Sequence, residues 1–496
     1  MKKYVVALDQ GTTSSRAIAF DVNGKPVAVK NVEFNQIFPK PGWVEHDPEE
    51  IYRSQMKALR LMMDESGIAA AEIDSIGITN QRETVMLWDS KTGRPVYNAI
   101  VWQCRRTAPL CEELVKNGYT DLIKKKTGLV PDAYFSGTKI KWLFNNVPEV
   151  KLISEQGSLM AGTVDTWLMY RMSGGEVHVT DPSNASRTML FNINDGDWDR
   201  ELCEILGIPI GILPKVVDSS GIIFEYELDG VKIPVAGIAG DQQAALFGQT
   251  CYEEGESKNT YGTGCFILMN TGDKSVYSNG GLLTTVAWRI GGRTEYALEG
   301  SVFNAGSVVQ WLRDNLGFMT NSEDSEAMAE SVEDSGGVYF VPAFTGLGTP
   351  YWDMYARGII SGITRGTTKE HIVRAGLEAI AYRSTEVLEV MAGDTNTKPC
   401  RLYVDGGASA NDFLMQFQSD MLQCNIVRPV VRETTALGAA FLAGLATGFW
   451  KSKAALNDLV EIDRIFSPKD SVEARDNRMK GWHNAVDRAK GNGGSD

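Results

Sequence analysis

A strand, a loop of glycine and hydroxyl residues, and a second strand occur twice in this chain. VALDQGTTSSRAIAFD covers residues 6–21 and KNTYGTGCFILMNT covers residues 258–271. The two units lie about half a chain apart, the mark of a repeated structural unit. A hairpin closes with two or three turn residues, whereas the first loop reads as six, Gln10 to Ser15. The repetition implies two halves of similar build, each offering a loop to a shared cleft. The divide falls near Gln249–Gly255, giving domains 1–249 and 250–496. A chain of 496 residues also exceeds what one core covers.

Between the two loops, strand and helix signals alternate, which argues for an α/β fold. Strands are expected at 4–8, 17–20, 75–79, 85–88, 235–238, 266–269, 296–298, 338–341 and 402–404. HDPEEIYRSQMKALRLMM reads as a helix with Asp47 as N-cap and Pro48 in its first turn. TTKEHIVRAGLEAIAYRSTEVLEVMAG reads as a second helix, opened by a Thr367/Glu370 box and stopped at Gly393. Residues 434–450, TTALGAAFLAGLATGFW, are uncharged but shorter than the roughly 20 residues a membrane span needs. Their small residues suit a buried, closely packed helix. The tail KGNGGSD has the composition of a disordered end.

The net charge of −14 excludes nucleic acid and anionic membranes as natural partners. A phosphate ligand must then be held locally, by backbone N–H groups, placed cations or a metal. Seven scattered cysteines without a C-x-x-C pair argue against a disulfide framework or a zinc site. The N-terminus runs straight into a strand with no leader pattern, so a cytoplasmic setting is expected.

Five stretches carry chemistry. In Asp9-Gln10-Gly11-Thr12-Thr13-Ser14-Ser15-Arg16, bare backbone and hydroxyls can cradle an anion, and Asp9 can hold Mg²⁺ through water. Tyr261-Gly262-Thr263-Gly264 is its counterpart. In YVDGGASAN, residues 403–411, a strand turns through Gly406 and Gly407 into a helix whose N-terminus faces any ligand there. In GITNQRET, residues 77–84, adjacent Arg82 and Glu83 can grip a polyol by donating and accepting. In VAGIAGDQQAALFG, residues 235–248, Asp241 sits where a strand meets a helix, a ligand position in open α/β sheets and a place for a base. Each also has a plainer reading: decorated turns, an exposed ion pair, Asn411 or Asp241 as helix caps. The histidines at 46, 178, 371 and 483 are scattered and form no metal cluster in the sequence.

With PKPGWVEHDP, NAIVWQCRRTA, YFSGTKIKW, GTVDTWL, NASRTML, NTYGTGC and VPAFTGLGTPYWD in register, the chain resembles the sugar-kinase members of the actin-like ATPase superfamily. Within them it is similar to the bacterial glycerol kinases, over residues 4–450. The resemblance implies an α/β fold of two ribonuclease-H-like domains, with mixed sheets flanked by helices and the active site in the interdomain cleft. It implies ATP-dependent phosphorylation of glycerol to sn-glycerol 3-phosphate with release of ADP. Thr12, Thr13, Ser14 and Arg16 would then contact the nucleotide phosphates. Thr263 and Gly306 would line the β/γ side, Gln310 would lie close to the nucleotide, and Gly407 and Asn411 would hold the adenosine end. Arg82, Glu83, Tyr134, Asp241 and Gln242 would bind glycerol, with Trp102 and Phe266 on its carbon face. Asp241 would be the general base and Asp9 would position Mg²⁺. A homodimer or tetramer is implied as well. Residues 224–237, FEYELDGVKIPVAG, contain neither the Gly-Gly-Thr-Arg loop nor the histidine that regulate some bacterial members. A pentulose or other polyol kinase of the same fold, and a nucleotide-driven binding protein, stay open beside this reading.

Overall fold

The computed structural model describes residues 2–490 apart from Thr345, Met354 and Cys400; residues 491–496 of the glycine-rich tail lie outside the described residues. Thirteen strands form one continuous sheet. They are β1 (Tyr4–Gln10), β2 (Ser14–Phe20), β3 (Pro26–Glu33), β4 (Ile73–Asn80), β5 (Ser220–Leu228), β6 (Val231–Gly240), β7 (Ser257–Tyr261), β8 (Cys265–Gly272), β9 (Leu283–Ile290), β10 (Arg293–Val302), β11 (Arg401–Asp405), β12 (Asn425–Pro429) and β13 (Ile462–Phe466). Their spatial order is β13-β12-β11-β7-β8-β10-β9-β5-β6-β4-β1-β2-β3.

The internal echo is a true repeat of topology. In the first half β3, β2 and β1 run antiparallel to one another, and β4 then β6 continue parallel to β1. In the second half β10, β8 and β7 repeat the antiparallel trio, and β11 then β12 continue parallel to β7. The halves meet where β5 pairs with β9 through one register pair, Ser220 with Ile290.

Strand β1 shows why its apolar run is unbroken. Val6 and Leu8 face a core with Ile51 and Leu59 of α1 (Pro48–Ser66), while Val5 and Ala7 face a second core with Ile18 and Phe441. Side chains alternate across a strand, so a strand covered on both faces needs apolar residues at every position. Helix α1 starts as its sequence predicts: Asp47 accepts a hydrogen bond from the Glu49 N–H at 2.9 Å. Helices α2 (Asp241–Gly248), α3 (Gly306–Asp314), α4 (Lys369–Thr395), α5 (Asp412–Leu422) and α6 (Thr434–Thr447) follow.

Three expectations change. The first hairpin turn is Gly11-Thr12-Thr13, because β1 and β2 pair up to Gln10 and Ser15 and the Gly11 N–H donates to the Ser14 carbonyl. The cap of α4 is Thr368, one residue later than expected, because His371 lies within hydrogen-bond reach of both its backbone N–H and its hydroxyl. Gly393 does not end that helix, which continues to Thr395 and stops at Asn396 in a left-handed conformation.

Helix α6 is the buried, small-residue helix the sequence suggests, but it covers the sheet of the other half. A Cβ on Gly77 of β4 would come within 2.1 Å of the Ala439 carbonyl, and one on Gly237 of β6 within 2.6 Å of the Ala443 nitrogen. A Cβ on Gly438 would come within 1.8 Å of the Ala244 carbonyl of α2. Four elements meet there backbone to backbone. Among the described residues no helix is long and apolar enough to cross a membrane.

Candidate active site

The strand ends of the first half bring the polyol-gripping and phosphate-cradling candidates together. Arg82 and Glu83 follow β4, and Glu83 takes φ = 60°, a left-handed turn that is unusual for glutamate. Both are buried, at 2% and 1% exposure, so an exposed ion pair is not what this loop is. Arg82 donates to Glu299 at 2.5 and 3.1 Å, to Gln243 at 3.2 Å and to Tyr134 at 3.4 Å. Its Nε lies 3.0 Å from an Asp241 carboxylate oxygen. That approach is off the N–H direction, and the buried Nε–H has no hydrogen-bond partner in the protein.

Asp241 opens α2 at its first position, and the cap is Gly240, so the helix-cap reading of Asp241 does not hold. Its side chain is one-third exposed, the open end of an otherwise buried cluster. Gln242 follows, and its side-chain carbonyl accepts from the buried ammonium of Lys258 at 2.5 Å. Lys258 also donates to the Phe266 carbonyl at 3.2 Å, which ties Phe266 to the same corner. Trp102 packs edge-on against Tyr134, ring centroids 5.6 Å apart, and its indole N–H donates to Thr12 at 3.0 Å. All seven polyol candidates are thus linked directly or through one intermediary.

Three residues of this cluster escape the sequence reading. Arg187 donates to Glu83 at 2.7 Å and to Glu299 at 2.9 Å. Glu299, in β10 of the second half, bridges Arg82 and Arg187 and is fully buried. Burial alone would push the Glu299 carboxyl up, but the two guanidinium groups overcome it and hold it at about 2. Lys258 is the third; burial lowers its ammonium to about 8. A lone charge inside an apolar strand, as in YALEGSV, is the signal that could have found Glu299.

At the phosphate loop, burial raises the Asp9 carboxyl to about 6, with Arg16 opposing and with Glu433 and Asp241 adding to it. Arg16 lies 3.3 Å from Asp9 and 2.6 Å from Glu433 at the start of α6. Asp9 and Glu433 flank the Arg16 guanidinium, and Asp241 faces the Arg82 guanidinium. Among the described residues no three His, Cys, Asp or Glu side chains are grouped to hold a metal ion; the Asp9 carboxylate alone fits a divalent cation that completes its shell with water and phosphate oxygens.

The second loop is built to the same plan. The Gly262 N–H donates to the Gly264 carbonyl, and the N–H groups of Ala305, Gly306 and Ser307 bond back to Gly262 and Thr263 as α3 begins. A Cβ on Gly306 would come within 2.7 Å of the Gly262 carbonyl. Thr263 and Gly306 are therefore neighbours. Gln310 is exposed one turn on, at the edge of a cleft of about 720 Å³ floored by Trp311, Phe340 and Phe344. Gly406, at φ = 84°, presses on the Tyr261 backbone, which seats Gly407 beside this loop. Asn411 is the N-cap of α5, accepting from the Leu414 N–H at 2.8 Å. Its side-chain amide donates to Ser325. Thr12, Thr13 and Ser14 line the first turn.

Two family models match: the N-terminal domain of the FGGY family of carbohydrate kinases over residues 4–248, and the C-terminal domain of the same family over residues 257–447. The chain is 59% identical to a glycerol kinase of Symbiobacterium thermophilum, over 99% of each chain. It is 58% identical to glycerol kinase 2 of Thermotoga maritima, again over 99% of each. Among solved structures it is similar to Plasmodium falciparum glycerol kinase with ADP, at 39% identity and a TM-score of 0.92 over 98% of both chains. With two repeated halves, a loop in each and a buried charged cluster between them, the chain belongs to the FGGY family of carbohydrate kinases.

Proposed function

We propose that the chain transfers the γ-phosphoryl group of ATP to a terminal hydroxyl of glycerol, releasing ADP and sn-glycerol 3-phosphate. The observation that carries this reading is the buried guanidinium of Arg82 facing the one-third-exposed carboxylate of Asp241, its Nε 3.0 Å from a carboxylate oxygen, beside Tyr134 and Trp102. A guanidinium and a carboxylate side by side can donate to and accept from the hydroxyls of a polyol. A small polyol supplies an acceptor there and a proton for Asp241. The full-length likeness to curated glycerol kinases supports the same substrate.

Arg82, Glu83, Tyr134 and Gln242 hold the hydroxyls, and Trp102 with Phe266 covers the carbons. Asp241 orients the reacting O–H and takes its proton as the new O–P bond forms and the bond to the β–γ bridging oxygen breaks. ADP leaves with that electron pair. Thr12, Thr13, Ser14 and Arg16 take the phosphates from one side, and Thr263 and Gly306 from the other. Gln310, Gly407 and Asn411 hold the nucleoside. Asp9 holds Mg²⁺, which when bound neutralises charge on the phosphates. Catalysis here is positioning and charge stabilisation, and closure of the cleft keeps water from taking the phosphoryl group.

The two units are taken as residues 1–249 and 250–496. The assembly we propose is a dimer or tetramer, and the setting is cytoplasmic, in keeping with the buried free thiols of Cys104, Cys111, Cys203, Cys251 and Cys265.

The test is coupled ADP release with Mg-ATP and a panel of glycerol, dihydroxyacetone, erythritol, xylulose, ribulose and gluconate. Glycerol-dependent release is expected, with little response to the longer sugars. Release with a pentulose instead would sink the substrate assignment. Asp241→Asn is expected to fold and to lose on the order of 10²–10⁴ in kcat. A folded variant with normal turnover would remove Asp241 as base.

A further inference from the structure

Two residues of the NQRET stretch, Gln81 and Thr84, have no part in the roles above, yet both are buried. They bracket Arg82 and Glu83. The Thr84 hydroxyl donates to the Gln81 side-chain carbonyl at 2.9 Å and accepts from the Trp102 backbone N–H at 3.2 Å. The Gln81 side-chain amide donates to the Gly11 carbonyl at 3.0 Å and to the Gln10 side-chain oxygen at 3.1 Å. The Gln81 backbone N–H donates to the Gln10 carbonyl at 2.8 Å. The Trp102 indole N–H then returns to the Thr12 hydroxyl at 3.0 Å.

These bonds close a circuit: Thr12, Gly11, Gln81, Thr84, Trp102 and back to Thr12. Every side-chain dipole in it has a fixed direction. The amide of Gln81 is oriented because its oxygen and its nitrogen are both engaged. The Thr84 hydroxyl spends its one proton on Gln81 and a lone pair on Trp102. The indole N–H occupies a lone pair of the Thr12 oxygen, which leaves the Thr12 O–H to donate elsewhere. A second brace supports the same turn: the Gln36 side-chain amide donates to the Thr12 carbonyl at 3.1 Å, and the Gln36 oxygen lies 2.7 Å from His46 Nε2.

We infer that Gln81 and Thr84 are positioning residues that tie the phosphate loop to the polyol grip, with the Trp102 indole N–H as the third tie. A polyol that fixes Arg82, Glu83 and the Trp102 ring thereby fixes the turn that receives the nucleotide phosphates. The two sites are then energetically coupled, and the coupling is reciprocal. The circuit is buried at Gln81 and Thr84 and half-buried at Thr12 and Trp102, and hydrogen-bonded networks with satisfied buried members are rigid enough to pass on such a constraint. The inference rests on the proposed glycerol and ATP sites.

The experiment is calorimetric titration of the full chain with ADP, with and without saturating glycerol. In the wild-type chain glycerol is expected to tighten ADP by roughly 5- to 150-fold, the usual range of coupling between sites. Thr84→Val keeps the shape but removes the hydroxyl. It is expected to bind ADP and glycerol singly while the ratio falls to within about twofold of unity, the level at which the coupling free energy vanishes. In turnover, the KM for ATP rises although the substitution lies in the polyol loop. Where Thr84→Val does not fold, Trp102→Phe, which breaks the tie to Thr12 and keeps an aromatic wall, decides by the same ratio. A wild-type ratio in the folded variants, or a ratio of one in the wild-type chain, overturns the inference. Failure of the wild-type chain to bind glycerol in a direct titration is a separate result: it overturns the glycerol reading, and the circuit's role falls with it.

Discussion

Asp9 is held in a state that water would not choose for it. Its carboxyl titrates near 6 in the folded chain, against 3.8 for an ordinary aspartate. The fold therefore favours the protonated form, and the ionised form costs stability. The contribution is fully present below pH 3.8 and is lost as pH rises through 6. Above pH 7 the ligand-free protein carries a penalty on the order of 2–3 kcal/mol at this one side chain. Asp9→Asn is expected to raise the denaturant midpoint at pH 8 while weakening Mg-ATP, and to leave the midpoint at pH 4 nearly unchanged. In the wild-type chain the KM for Mg-ATP is expected to climb below pH 6, and a flat profile between pH 5 and 8 would count against Asp9 as the metal-holding acid. The residue-level reading of the sequence singles out Asp9, Arg82, Glu83 and Asp241 because each stands where a strand ends: Asp9 near the end of β1, Arg82 and Glu83 just after β4, and Asp241 directly after β6. It did not find Arg187, Glu299 or Lys258. Their side-chain partners in the cluster lie 16 to 217 positions away along the chain, a relation that no local pattern carries.

At the scale of elements, glycine shows why local signals reach only so far. Gly393 looks like a helix stop because glycine so often is one, yet it lies inside α4 with open space around its Cα. Gly393→Ala is expected to stabilise the chain by about 0.5–1 kcal/mol, the helix propensity difference. Gly438 lies in a helix as well, but its missing Cβ leaves room for the Ala244 carbonyl. Gly438→Ala is expected to destabilise by about 3 kcal/mol or more, since backbone cannot yield as a side chain can. Chemical denaturation of the two variants side by side separates the cases, and equal midpoints would refute the backbone packing at α6. The strands found from sequence are the apolar, doubly covered ones. Of those left out, β3 has one exposed face, and β9 is buried at six of its eight positions but its apolar run is broken by Thr284, Thr285 and Arg289. The repeat of hairpin loops is visible as a sequence pattern and implies two similar halves, while the alternation of strand and helix signals gives the α/β class that the structure has. The length of the first turn was not visible, because hydroxyl residues are as much at home in the strand start at Ser14 and Ser15 as in a loop.

For the whole molecule, the tie between halves is ionic at its centre and backbone-tight at α6. Glu299 of the second half neutralises Arg82 and Arg187 of the first, and its carboxyl is held at about 2, far below the ordinary 4.5. This stability is present above pH 4.5 and is lost as pH falls through 2. Glu299→Gln is expected to cost about 3–5 kcal/mol, because removing one partner leaves buried charge uncompensated. It is also expected to remove that share of the acid sensitivity between pH 4.5 and 2, a difference that unfolding curves at several pH values would reveal. The α6 crossing has a consequence in time. The first half cannot complete its own sheet cover until residues 434–447 arrive. At 5–20 residues per second, that helix leaves the ribosome roughly 10–40 s after α2. During that interval β4 and β6 present an open apolar groove to the cell. The nascent first half is expected to bind a holding chaperone, and a ribosome-bound chain stalled before residue 434 is expected to be cleaved by protease at sites that the finished chain protects.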